Sequence, residues 1–271
     1  MAVDHALLES VQQGGPPCLR LYRWQPACLS FGRNQPARGL YDPRRTRTAG
    51  IDVTRRPTGG LAVLHDRELT YSVTAPVRLF GGPRAAYVAV NAALLDGLRL
   101  LGVPAALAPA GPRRANLNEG FLSRSAPSGT PAAAEQPCFQ TAAPGEVVAL
   151  GRKLIGSAQR AERGALLQHG SILLDGSQAD VVRLLAVPEA AERPKPVVDE
   201  AAAGSADAGS ITVRELLGAV PDWDDLVRGI VSGFMGLCGT PLAPETLTRV
   251  EAVRAAALED HYGAESWTWR R

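Results

Sequence analysis

Glu146-Val-Val-Ala-Leu-Gly-Arg-Lys-Leu-Ile-Gly-Ser-Ala-Gln-Arg-Ala-Glu-Arg-Gly-Ala-Leu-Leu-Gln-His-Gly-Ser-Ile-Leu-Leu174 is the stretch on which the reading of this chain turns. Its apolar runs, Glu146 to Leu150, Lys153 to Gln159 and Ala165 to Leu174, are separated by turns at Gly151-Arg152 and near Glu162-Arg163-Gly164, so they predict an antiparallel meander. On an undistorted strand Lys153, Ile155 and Ser157 share one face, as do His169 and Ser171 on the next strand. The small residues Gly156, Ser157 and Ala158 leave room for a ligand above the sheet. By itself Lys153 reads either as a positive charge over that groove or as a surface lysine on an edge strand.

Upstream, further strands are expected at Leu19 to Trp24, Cys28 to Phe31, Ile51 to Arg56, Leu61 to Leu64 and Leu69 to Val73, in a mixed or antiparallel sheet. A helix from Ala2 to Val11 is stopped by Gly14-Gly15-Pro16-Pro17, and a second, Arg84 to Leu101, carries the stripe Tyr87, Val90, Leu94, Leu98 and Leu101. The Ala-, Pro-, Gly- and Ser-rich segment Ala105–Gln136 lacks periodicity and is expected to be a mobile surface loop, a candidate lid. A similar stretch lies at about Pro188 to Gly209. Beyond it, Asp222 or Asp224 caps a helix with the stripe Leu226, Ile230, Phe234 and Leu237, and a last helix covers Pro244 to Tyr262. The expected organisation is a main domain over 1–187 with its loop at 105–136, a linker or loop at 188–209, and a helical segment over 210–271 packing on the domain. The fold class is α+β, with mixed sheets flanked by helices and a small C-terminal helical extension.

Composition bounds the function. The 271 residues carry a net charge of +2, with 45% hydrophobic and 21% charged residues, so no strong field favours nucleic acid or an anionic membrane surface. No apolar run approaches the ~18 residues that span a bilayer, and the first residues read as an amphipathic helix rather than a signal peptide; the expected location is the cytoplasm. Cys18, Cys28, Cys138 and Cys238 lack C-x-x-C spacing, which argues for reduced thiols and against a zinc site, and no metal is expected. Burial is expected for Cys18, Cys28 and Cys238.

Two further features could carry chemistry. In Arg55-Arg-Pro-Thr-Gly-Gly-Leu-Ala-Val-Leu-His65 a strand ends on two guanidiniums and turns through paired glycines. This is either a plain hairpin turn or a backbone cradle for carbonyl or phosphoryl oxygens. With Arg44, Arg45 and Arg47 the two arginines form a basic cluster that reads equally as solvated or as anion-facing. Cys138, at the end of the long loop, is either a small core hydrophobe or, if the chain folds back on Lys153, a thiol whose thiolate form the lysine favours.

Three ordered motifs carry a family resemblance. Arg55-Arg-Pro-Thr-Gly-Gly60 with Ala62-Val-Leu-His-Asp66, then Gly151-Arg-Lys-Leu-Ile-Gly-Ser-Ala-Gln159, then Leu167-Gln-His-Gly-Ser-Ile-Leu-Leu174 resemble the biotin/lipoate ligase and octanoyltransferase superfamily. Because Cys138-Phe139 precedes Gly-Arg-Lys, the chain looks most like the cysteine-dependent octanoyltransferases, and the likeness extends to the closing Tyr262-Gly-Ala-Glu-Ser-Trp-Thr-Trp-Arg-Arg271. The resemblance implies an acyl tunnel with Arg56, Thr58, Gly59, Gly60 and His65 on one wall and Lys153, Gly156, Ser157, Ala158 and His169 on the other. Two departures stand out. Leu61 replaces the usual Gly or Arg after the paired glycines, and Met1 to Leu8 matches what is usually an internal helix, so a first strand is expected to be missing.

The implied reaction is a ping-pong acyl transfer without cofactor. Cys138 takes octanoyl from octanoyl-acyl carrier protein and passes it to a lysine of a lipoyl carrier domain, such as glycine-cleavage H protein or a 2-oxoacid dehydrogenase E2. Lys153 favours the thiolate or assists proton transfer from the amine, and backbone N–H groups near Gly59-Gly60 or Gly156-Ser157 stabilise the oxyanion. Three alternatives stay open at this point: an ATP-dependent lipoate or octanoate ligase, which shares Lys153 and the Arg-Arg loop, an amidotransferase drawing octanoate from an acylated carrier domain, and a non-enzymatic binder.

Overall fold

Leu7, Leu8 and Val11 stand on one side of the segment Ala2–Gln12 and are buried, which makes it helix α1. In chain order follow β1 (Cys18–Tyr22), β2 (Cys28–Phe31), α2 (Pro43–Thr48), β3 (Asp52–Arg55), β4 (Val63–His65), β5 (Glu68–Pro76) and α3 (Pro83–Leu100). Next come β6 (Ala106–Leu107), β7 (Val147–Ala149), β8 (Arg152–Lys153), β9 (Ile155–Glu162) and β10 (Ala165–Leu173), then α4 (Val213–Leu217), α5 (Trp223–Cys238), α6 (Arg249–Gly263) and α7 (Glu265–Thr268). The computed structural model describes residues 1–109, 139, 142–186 and 209–270. The long loop beyond residue 109 and the stretch 188–208 lie outside the described residues, whereas the start of the expected loop, Ala106–Leu107, is paired as β6.

Among the described residues the strands form three sheets. β1-β5-β10-β9 is antiparallel throughout, β3-β2-β4 is mixed with β2 and β3 parallel, and β6-β7-β8 is a short antiparallel sheet. The α+β expectation holds. The meander, however, is divided between two sheets: β7 and β8 pair with each other and β6, while β9 and β10 join the large sheet. The break falls at Leu154. Leu154 and Ile155 are both fully buried, and an undistorted strand would send consecutive side chains to opposite faces; interrupting the strand turns both inward. Lys153 and Ser157 therefore do not share the face of one strand, as the spacing suggested.

The largest core joins Leu69, Tyr71 and Ile172 of the sheet to Leu94 and Leu98 of α3 and to Ile230 and Phe234 of α5. α5 approaches α3 so closely that a Cβ at Gly233 would lie 2.1 Å from the Ala93 carbonyl oxygen. Leu237 and Cys238 fall on the last turn of α5 and are exposed, so neither is buried as expected. Cys28 is buried, with its thiol pushed up to about 12 by desolvation, and Cys18 is half-buried. α6 starts at Arg249 rather than Pro244: the Thr248 hydroxyl accepts from the Glu251 N–H, and the Glu251 side chain closes the capping box. Its Ala255, Leu258 and Tyr262 pack with Ala6 of α1.

Arg55 ties the end of the chain to the small mixed sheet. Its side chain is fully buried and donates only to carbonyls: Nε to Trp267 O (2.9 Å), Nη1 to Gly32 O (2.6 Å) and Gln35 O (2.7 Å), Nη2 to Thr268 O (2.9 Å). The Trp267 indole N–H returns a bond to Arg55 O (3.1 Å). Burial, with Arg270 and Arg56 nearby, lowers the guanidinium to about 10.

Candidate active site

The Arg55-to-Gly60 turn is held from beneath by the residue that follows Arg55. Arg56 Nη1 donates to Ser30 O (2.8 Å) and Ser30 Oγ (2.5 Å), and Nη2 to Gly59 O (3.2 Å) and Leu61 O (2.8 Å). A planar guanidinium with several donors suits this task, since it can grip a strand and a turn at once. Of the basic cluster read in the sequence, Arg55 and Arg56 are thus interior, whereas Arg44, Arg45 and Arg47 stand on α2.

Two buried histidine–carboxylate pairs fix the walls. On one, Glu68 Oε1 lies 2.7 Å from His65 Nδ1, which places the ring proton there, and Nε2 accepts from Ser30 Oγ at 2.6 Å. Trp24 stacks on His65 with centroids 4.7 Å apart and bonds Thr70 Oγ1 (2.8 Å), while Thr70 donates to Glu68. On the other, Asp4 Oδ2 faces His169 Nδ1 at 3.6 Å, and Nε2 accepts from Thr58 Oγ1 at 2.6 Å. Burial lowers the His169 pKa, so the ring is neutral near pH 7. For Asp4, burial alone would raise the pKa; His169, the adjacent amino terminus and Arg20 outweigh it and hold the carboxyl well below the usual carboxylate range. Ser72 Oγ (2.8 Å) and Arg20 also bond Asp4. Both histidines use both ring nitrogens within the fold, so they brace the walls of the cleft.

Arg56, Gly60 and His65 face Gly156, Ser157, Ala158 and His169 across one cleft. Register puts Ser171 opposite Gly156 and His169 opposite Ala158, so His169 and Ser171 do share a face. Thr58 sits behind the wall against His169, and Gly59 is held by Arg56. Ser157 Oγ donates to Asn91 Oδ1 (3.0 Å) and accepts from Tyr71 OH (2.7 Å).

Phe139 packs against Gly156 and Val63 of the cleft's lining, with Lys153 beside it. Lys153 Nζ is 5.3 Å from the Phe139 ring centroid, and the ring lies so close over Gly156 that a Cβ there would come within 2.6 Å of it. Val63 and Leu173 complete the ring's packing. Lys153 is not among the cleft's lining residues; its side chain is 4% exposed and its Nζ pairs with Glu146 Oε2 at 2.9 Å. Cys138 lies outside the described residues, but it is bonded to Phe139, and adjacent Cα atoms are ~3.8 Å apart.

Sequence reasoning singled out Arg56, Gly60, His65, Gly156, Ser157, Ala158 and His169 of the cleft's lining but not Val63, Thr70 or Gly170, and it missed the acids behind them: Asp4, Glu68 and Glu146 are all buried. Asp4 had a signal, for Asp4, Leu7, Leu8 and Val11 recur at helical spacing on the buried side of α1. Glu146 had none.

Residues 1–235 match the lipoyl protein ligase A/B catalytic domain. Octanoyltransferase LipM of Symbiobacterium thermophilum is 37% identical over 276 residues, spanning 100% of this chain and 93% of that protein. The octanoyltransferase LipM of Kyrpidia tusciae is 37% identical over 277 residues, spanning 100% and 94%. Among solved structures, lipoate-protein ligase A bound with ATP superposes with a TM-score of 0.72 at 24% identity, covering 99% of this chain and 92% of that one. Ta0514, a putative lipoate protein ligase from T. acidophilum with bound lipoic acid, gives 0.69 at 23%, covering 99% and 91%. At these identities the structural likeness is one of fold.

Proposed function

From the premise that this chain belongs to the lipoyl protein ligase A/B catalytic family, in its octanoyltransferase branch, we propose that it moves octanoyl through a thioester on Cys138. It is an acyltransferase of lipoate biosynthesis. Its acceptor is a lysine of a lipoyl carrier domain, either glycine-cleavage H protein or a 2-oxoacid dehydrogenase E2, and its donor is octanoyl-acyl carrier protein. No helix among the described residues is long and apolar enough to cross a membrane, and the proposed setting is the cytoplasm.

The observation that carries this reading is the seat of Phe139, between Lys153 and the cleft residue Gly156, with Cys138 one residue away in sequence. In the first half-reaction the Cys138 thiolate attacks the thioester carbon of the donor. The C–S bond to the carrier breaks, and the carrier thiolate leaves and takes a proton. In the second, the acceptor amine attacks the acyl-enzyme, a C–N bond replaces the C–S bond, and the amine's proton ends on Cys138. Exchange of one thioester for another is nearly isoenergetic and amide formation from a thioester is downhill, so no ATP is consumed. Lys153, as an ammonium, favours the thiolate. Backbone N–H groups near Gly59-Gly60 or Gly156-Ser157 are the proposed oxyanion donors, a contribution of ~3 kcal/mol each. Arg56, Thr58, His65 and His169 hold the walls in place, and Ala158 lines the acyl site.

The test supplies octanoyl-acyl carrier protein and a lipoyl domain with and without ATP. Octanoyl-lysine is expected in both, from wild type and not from Cys138→Ser. Modification only from free octanoate with ATP would identify a ligase instead.

A further inference from the structure

We propose that Glu146 is a positioning residue for the transfer, holding the Lys153 ammonium beside Phe139. The proposal rests on the acyl-enzyme reading above. Glu146 is buried just before β7, and both carboxylate oxygens are engaged. Oε2 accepts from Lys153 Nζ (2.9 Å) and from the Ala143 N–H (2.7 Å), and Oε1 accepts from Tyr87 OH (3.2 Å) on α3. The carboxylate is therefore fixed by two separate parts of the chain before it meets the lysine.

Lysine needs such a partner more than most residues. Its four-carbon stem has several rotatable bonds, and its charge is a compact point rather than a planar fork. The backbone of Lys153 is already anchored: its N–H bonds Gly209 O (2.8 Å) and its carbonyl accepts from Ile211 N (3.0 Å). Glu146 fixes the other end of the side chain. An ammonium carries three N–H donors in set directions, so holding one on Glu146 determines where the others point. A lysine Nζ that donates to a carboxylate is arranged as a donor, which suits thiolate or oxyanion stabilisation and not proton abstraction from the amine. Of the two roles read for Lys153 in the sequence, the geometry points to the first.

A purely structural Glu146, one that only compensates a buried charge, would be equally useful whether or not Lys153 acts in catalysis. The experiment separates the two by single-turnover formation of the octanoyl-enzyme, followed by intact mass across donor concentrations. Glu146→Gln is expected to slow the step about 30-fold with half-saturation changed less than about 3-fold, because the loss lies in the reacting geometry. Glu146→Asp keeps the charge one methylene back and is expected to lose only about 5-fold. In a Lys153→Gln background the same Glu146→Gln change should cost less than about 2-fold, the signature of residues acting as a unit. A wild-type or faster rate in Glu146→Gln, or the full loss repeated in the Lys153→Gln background, would overturn the proposal. If Glu146→Gln melts below the assay temperature, Glu146→Asp decides, and a wild-type rate there overturns it. Absence of any adduct on wild type is a different result, which removes the acyl-enzyme reading itself.

Discussion

Arg55 and Lys153 are both buried cations, yet they are held in opposite ways. Arg55 spreads its charge over carbonyls of two segments and meets no carboxylate among the described residues, whereas Lys153 is paired with the Glu146 carboxylate. A planar fork shared among many neutral acceptors makes a clamp: it fastens residues Trp267 to Arg270 onto β3. In the proposed mechanism the Lys153 point charge, held by Glu146, is where another negative group comes to it. Burial alone does not distinguish structure from chemistry here; the identity of the partner does.

The contrast can be broken at either cation. Lys153→Ala is expected to reduce octanoyl transfer by about 1,000-fold or more in the protein that remains folded, measured by turnover beside a thermal melt. Near-normal turnover would remove Lys153 from the mechanism. Arg55→Ala should do the reverse, costing about 3 kcal/mol or more in denaturant unfolding because several buried carbonyls lose their donor, while kcat falls only with the folded fraction. A smaller effect is expected between them: Gly156→Ala places a methyl 2.6 Å from the Phe139 ring, so overpacking costs about 1–3 kcal/mol and displaces the residue beside Cys138, slowing adduct formation.

The smallest effect is the pH dependence of stability, which sets the histidine braces against both cations. His169 has a folded pKa below its unfolded value of about 6.5, so the unfolded chain takes up the proton first as pH falls. Its contribution is present above that value and declines below it. Asp4, also depressed in the fold, adds a second loss below about 4, where the unfolded carboxyl protonates first. Melting temperatures across pH 8 to 3 should therefore fall in two stages, and His169→Gln should flatten the upper one. A flat profile in wild type above pH 4 would contradict the assignment.

Much of this arrangement was legible in the sequence because amphipathic spacing and turn residues are local. Leu94 and Leu98 bury the stripe of α3, and paired glycines after Arg56 do mark the turn that forms one wall. The division of the meander was less visible, although consecutive apolar residues Leu154-Ile155 hold its cause. Arg55 and Arg56 look alike as neighbours on paper and separate only in three dimensions, one toward the C-terminal segment and one toward the cleft. Glu146 could not be read at all, since its meaning depends on Tyr87, Ala143 and Lys153 meeting in space.

The central claim is a covalent one, and it is weighed directly. Wild type mixed with octanoyl-acyl carrier protein in the absence of ATP should gain the mass of one octanoyl group, mapped by peptide fragmentation to Cys138 and discharged by a lipoyl domain. Cys138→Ser should gain no thioester. An unmodified wild type that still octanoylates the acceptor, or an adduct that maps to Cys18, Cys28 or Cys238, would contradict the account.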